Sequence, residues 1–167
     1  QSELEIHSSA RHNVWKPNVR AMTKNWLNMG LRPRAVTRDL EWGIDVPIKD
    51  KEWTNKRVYV WFEAVQGYYT CARIWSERFA SEHPDGDSAW ENWWIDKPGQ
   101  SLKHIYFMGK DNIPFHTIIW PAILMGLNRS RDSNELLHLE DNVAANEYLM
   151  LQGGQFSKSR KHGVWLP

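Results

Sequence analysis

Apolar positions recur at helical spacing early in the chain. Trp15, Val19, Met22, Trp26 and Met29 alternate four- and three-residue steps, which predicts one face of an amphipathic helix. Pro17 suits its first turn and Gly30 its C-terminal end. Residues 1–12 show no such period and are expected to fray. Arg57–Phe62 is a β-branched and aromatic run that predicts a buried strand. Val65, Tyr68, Ala72, Trp75 and Phe79 then mark a helix face. Residues 81–101 read as a long polar excursion holding a short segment, Trp90 to Trp94. Lys103–Met108 predicts a second strand, followed by an apolar helix from Pro114 to Leu127. Pro121 should kink that helix near Thr117, whose carbonyl the ring crowds. A polar connection, 128–144, leads to a third expected strand, Tyr148–Leu151. Strand, helix, strand, helix, strand predicts an α/β fold with parallel pairing and helices covering the sheet.

Bulk properties narrow the picture. The chain has 167 residues, enough for one domain with a core. A formal charge of +1 argues against a non-specific nucleic-acid coat. Cys71 stands alone, which excludes an internal disulfide framework and a multi-cysteine zinc site. No apolar run approaches ~18 residues, so no membrane span is expected, and a cytoplasmic setting fits. Gln1 at the start, and Pro167 directly after a basic tract, suggest cut or processed termini.

Chemistry concentrates at the predicted strand ends, where ligands of open parallel sheets bind. The first end offers Trp61, Ala64 and, a turn later, Tyr68. The second offers Gly109, Asp111 and His116. The third leads into Gln152–Lys161, where Gly153 and Gly154 give a hinge and Ser157 and Lys158 suit a polyphosphate. Trp61, Tyr68 and His116 would wall an aromatic pocket, Gly109 and Asp111 would take a ribose, and Lys158 would neutralise phosphates. Each has an ordinary alternative: Trp61 and Tyr68 as packing, His116 as a satisfied buried histidine, Asp111 as a helix cap. The loop Ala35–Pro47, with Arg38 and Asp39, is either a functional loop or a solvated crossing. Joint occurrence at three strand ends favours a site.

Four blocks carry a family resemblance. They are Val36-Thr37-Arg38-Asp39 with Trp42-Gly43-Ile44 and Val46-Pro47; Val58 to Tyr68, read V-Y-V-W-F-E-A-V-Q-G-Y; Phe107 to His116 with Trp120-Pro121-Ala122; and Phe156-Ser157-Lys158-Ser159. Together they resemble class I aminoacyl-tRNA synthetases, and among these the methionyl-tRNA synthetases. The resemblance implies the second half of a Rossmann-like, parallel-sheet nucleotide-binding fold with helices on both faces. Residues 1–34 would be a helical lead-in from the connective insert. Residues 35–167 would be the second half of the catalytic domain, ending in the family's K-M-S-K-S-like loop.

The resemblance also implies roles. Trp61, Ala64, Tyr68 and His116 would hold the methionine side chain. Gly109, Asp111, Glu147, Leu149, Ser157 and Lys158 would bind ATP, with Lys158 and Arg38 assisting catalysis. The implied ligands are methionine, ATP with Mg2+ and the acceptor end of tRNA(Met), with no zinc site in this chain. The chain departs from the family at Gln155, where a lysine is usual, at Phe156, Glu63 and Gln66, and in Lys161, where glycine often follows. It also lacks the H-I-G-H motif of the first half, so the isolated chain is expected to be nearly inactive, with the other half of the domain as its partner. A synthetase for leucine, isoleucine or valine, or a non-catalytic methionine- or nucleotide-binding module, is the competing expectation.

Overall fold

The computed structural model describes residues 1–164; residues 165–167, the end of the second expected segment, lie outside the described residues. The chain opens with helix α1, Ser2–Ala10, and helix α2, Pro17–Asn28. Pro17 fixes φ where no N–H partner is needed, and Gly30 takes φ +75° just past the helix end. The fraying expected over residues 1–12 is corrected: α1 is ordered by contacts rather than by pattern. Its Leu4 packs with Leu27 and Ile118, and His7 is buried against Glu140.

Strand β1, Thr37–Asp39, pairs antiparallel with strand β2, Lys56–Val58. The strand expected over Arg57–Phe62 is therefore shorter and runs antiparallel. Its partner supplies three rungs and a last bond, Tyr59 N–H to the Val36 carbonyl. Past that bond the chain has no edge to pair with, and it turns into helix α3, Val60–Ala64. Helix α4, Gly67–Arg78, follows as expected. Between β1 and β2, Gly43 sits at φ +141°, where a Cβ would lie 3.1 Å from Arg57 Cβ.

The polar excursion carries helix α5, Glu91–Trp94. Trp90 and Trp94 are driven into the main core with Val65, Tyr106, Trp120, Leu124 and Leu137. Strand β3, Ile105–Gly109, pairs in parallel with strand β4, Asn142–Asn146, in the register Ile105↔Asn142 to Gly109↔Asn146. The strand that pairs in parallel with β3 thus lies before the expected Tyr148–Leu151, and it begins within the segment, 128–144, read as a polar connection. Met150–Leu151, β5, instead forms a hairpin with Gly154–Gln155, β6.

Between β3 and β4 the chain makes a π-turn, Phe115–Ile119, and helix α6, Trp120–Asn128. Pro121 has no N–H to return to Thr117, and the wider turn lies where the kink was predicted. The Thr117 hydroxyl donates to the Ile113 carbonyl at 3.0 Å. Helix α2 lies against β4, where Trp15 and Val19 pack on Ile113, Val143 and Ala145. The second face of β3 is open: Ile105 is 49% and Phe107 77% exposed.

Candidate functional site

Helix α4 and the π-turn bring Tyr68 and His116 together. The Tyr68 hydroxyl lies 2.8 Å from His116 Nε2, and His116 Nδ1 lies 2.9 Å from the Asn112 carbonyl. A carbonyl only accepts, so Nδ1 carries the proton and donates. Burial holds the His116 imidazole below its usual pKa, partly offset by that bond, so the ring is neutral. Nε2 then accepts from the Tyr68 hydroxyl. Burial also pushes the Tyr68 phenol up, which keeps that proton in place. Tyr68's proton is committed to His116, and its oxygen lone pairs remain for other donors.

The Tyr106 ring packs on both members of this pair. Trp61, on α3 and 45% exposed, stacks on Phe115 with ring centroids 5.1 Å apart. Tyr106 meets Tyr68 edge-on at 4.9 Å, and its hydroxyl accepts from Trp120 Nε1 at 3.0 Å. Ala64 and Tyr68 line a recess of about 650 Å3 with Trp94, His104 and Tyr106. Phe115, Tyr106 and the Asn112 carbonyl were not singled out in the sequence. Alternation along β3 would have found Tyr106, which points to the same side as Met108, toward the core.

At the carboxyl ends of the parallel pair, Gly109 is the last residue of β3. A Cβ there would meet nothing within 4 Å. Asp111 is exposed in the 3-10 turn Lys110–Asn112. Its carboxylate makes no side-chain hydrogen bond among the described residues, and the turn after it has no side-chain cap. The cap alternative is thereby corrected. Glu147, one residue past β4, binds Lys110 at 2.6 Å and accepts from Asn18 Nδ2 at 3.3 Å. Leu149 is exposed beyond it.

Of the two glycines read as a hinge, Gly153 joins Gln152 in the turn of a tight hairpin and Gly154 opens β6. Gln152 and Gly153 both take positive φ, 50° and 79°, as a two-residue type I′ connection requires. His162 folds back over it and donates from Nε2 to the Leu151 carbonyl at 2.8 Å. A bridge between Ser157 and His162 closes the basic loop, and the Arg160 amide donates to the Ser157 hydroxyl at 3.3 Å. Lys158 is exposed and forms no ion pair among the described residues.

Arg38 stands apart from these groups. Its guanidinium donates to the Ala35 and Thr37 carbonyls and lies 3.9 Å from the Tyr59 ring centroid. It borders a separate apolar groove of about 730 Å3 between α2 and the π-turn. No group of three His, Cys, Asp or Glu is placed to hold a metal ion among the described residues. No helix among them is long and apolar enough to cross a membrane.

The aromatic cluster around Tyr68 and His116, the carboxyl ends of the β3–β4 pair and the basic loop are the parts of the candidate site, and comparison defines its class. The family model for class I tRNA synthetases of the M group matches residues 1–167, and the chain belongs to this family. Similar proteins make the family more specific. The methionine–tRNA ligase of Roseiflexus sp. (strain RS-1) is 48% identical over 161 residues, covering 95% of this chain and 25% of that protein. That of Picrophilus torridus is 48% identical over 161 residues, covering 96% of this chain and 21% of that protein. The crystal structure of Mycobacterium tuberculosis methionyl-tRNA synthetase bound by methionyl-adenylate is similar with a TM-score of 0.67 at 25% identity, over 98% of this chain and 27% of that one. The chain spans about a quarter of the length of the relatives it matches.

Proposed function

We propose that this chain forms the second half of the catalytic domain of a methionine–tRNA ligase. Residues 1–34 enter from the connective insert, and 35–167 carry the strand ends and the K-M-S-K-S-like loop. The reaction joins a methionine carboxylate oxygen to the α-phosphorus of ATP and releases pyrophosphate. The methionyl group then passes to tRNA(Met). The observation that carries this reading is the Tyr68–His116 hydrogen bond, with Trp61 stacked on Phe115, the residue before His116. A thioether is apolar and polarisable, and sulfur–ring contacts contribute about 0.3–1.5 kcal/mol each. A neutral His116, held by Asn112, orients Tyr68 without bringing a charge next to an uncharged side chain.

Gly109 and Asp111 serve the ribose, where an uncapped carboxylate accepts from sugar hydroxyls. The backbone of Glu147 to Leu149 borders the adenine. ATP enters with its Mg2+ as substrate. Ser157 and Lys158 meet the phosphates, and Lys158 stabilises charge on the departing pyrophosphate. Gln155 leaves one cation fewer there, and Arg160 stands nearby in sequence to compensate. Arg38 assists from its loop. The acceptor end of tRNA(Met) is the second substrate, the rest of the catalytic domain is the partner of the open β3 face, and the setting is the cytoplasm.

The test is amino-acid-dependent ATP–pyrophosphate exchange by the protein at its natural length, with methionine, leucine, isoleucine and valine offered separately. Exchange with methionine alone is expected, with residues 1–167 by themselves nearly inert. Preference for a branched side chain would replace the reading with a synthetase of that kind. Absence of exchange at natural length would leave a non-catalytic binding module.

A further inference from the structure

We propose that Lys110 and Glu147 are positioning residues for the nucleotide, their ion pair acting as a rung beyond the end of the β3–β4 ladder. The inference rests on the function proposed above. The last backbone rung pairs Gly109 with Asn146. Lys110 and Glu147 are the next residues after the two strands, and here the backbone ladder stops. Parallel strands lie about 4.8 Å apart, but beyond the last rung no backbone bond sets the spacing. Lys110 Nζ and Glu147 Oε2, 2.6 Å apart, set it instead.

The clamp has outside support. Asn18, on α2, donates from Nδ2 to Glu147 Oε1 at 3.3 Å, and its own Oδ1 accepts from the Val19 amide at 2.9 Å. Glu147 is thus held from two sides, by the turn after β3 and by the start of α2. Lys110 Nζ also lies 5.0 Å from the Tyr148 ring centroid, so it contacts the turn after β4 twice. Bonding to Lys110 and Asn18 keeps the Glu147 carboxyl below its usual range.

What the clamp spaces is the pair of turns that face the nucleotide. Asp111 is one residue past Lys110, and Tyr148 and Leu149 follow Glu147. Ribose and adenine are joined by one rigid glycosidic bond, so these turns must keep a fixed separation for both to be gripped. An exposed ion pair adds little to folding stability. Its value here is geometric, and it serves ground-state binding of ATP rather than the chemical step.

The protein at its natural length is compared with Lys110→Met, Glu147→Gln, Lys110→Glu and the charge swap Lys110→Glu/Glu147→Lys. Each single change is expected to raise the KM for ATP on the order of fivefold, the range of coupled neighbours. kcat and the KM for methionine should hold, and the swap should recover most of the loss. A Lys110→Met defect with Glu147→Gln unaffected and the swap as poor as Lys110→Glu would overturn the proposal, because Lys110 would then touch ATP itself. Amide hydrogen exchange over residues 110–112 and 147–149 reads the clamp without catalysis. Faster exchange in both neutral variants, restored by the swap, is expected, and unchanged exchange would overturn the clamp. A wild-type protein that keeps this protection yet shows no pyrophosphate exchange would overturn the function instead.

Discussion

His7 ties the amino-terminal helix to the segment that enters β4. Its Nε2 lies 2.7 Å from Glu140 Oε1, 133 residues away, and Glu140 is 0% exposed. Arg11 Nε donates to the Glu140 carbonyl at 2.9 Å. Burial pushes the Glu140 carboxyl up, and the His7 hydrogen bond pulls it back only in part. Removing one member of a buried pair leaves the other stranded, so His7→Ala should cost about 3–5 kcal/mol. Urea denaturation measures it. The loss should shrink as pH falls, because the stranded carboxyl takes a proton and no longer buries a charge. An unchanged midpoint at neutral pH would contradict this account. Nothing in residues 1–12 announced the pair, since α1 buries only Leu4 and His7 and a histidine adds no apolar period.

At the scale of elements, the starts of β3 and β4 are tied by a histidine–carboxylate cluster. His138 bridges Asp96 at 2.6 Å and Asp141 at 2.8 Å. Asp141 also accepts from the His104 amide at 2.9 Å, and His104 Nε2 donates to the Trp93 carbonyl at 2.7 Å. Burial holds His104 below its ordinary value of 6.5, against the bond to Trp93. A histidine neutral in the fold but protonated in the unfolded chain favours unfolding as pH falls below 6.5. The wild-type advantage over His104→Gln in urea should therefore shrink between pH 7.5 and pH 5.5, with about one proton's dependence at most. A constant difference would contradict it.

These elements also show what the sequence could reveal. The helices with an apolar period, α2 and α4, were read with nearly their observed bounds. So was β3, whose residues are strongly β-forming. Strand β4, Asn-Val-Ala-Ala-Asn, carries one β-branched residue, and only its pairing with β3 makes it a strand. Arg57–Phe62 has strand composition, but its partner β1 ends after three rungs. Local preference cannot show where an edge is available. Among the site residues, Tyr68 and His116 were nominated from the first-strand and second-strand ends and meet directly. The Lys110–Glu147 bond depends on a register that no local pattern encodes.

At the scale of the molecule, the described chain is one parallel pair flanked by helices, two short antiparallel pairs and an open apolar face. Parallel sheets are ordinarily covered on both faces. The exposed Ile105 and Phe107 accord with a chain that spans about a quarter of the relatives it matches. In the proposed function, the site divides into an aromatic cup for the amino acid and strand-end turns for the nucleotide. The Trp61→Ala variant of the protein at its natural length tests that division, through separate KM values for methionine and ATP in pyrophosphate exchange. The account predicts a methionine KM raised about tenfold, from lost sulfur–ring and apolar contact, with the ATP KM unchanged. An unchanged methionine KM, or a rise confined to ATP, would contradict it.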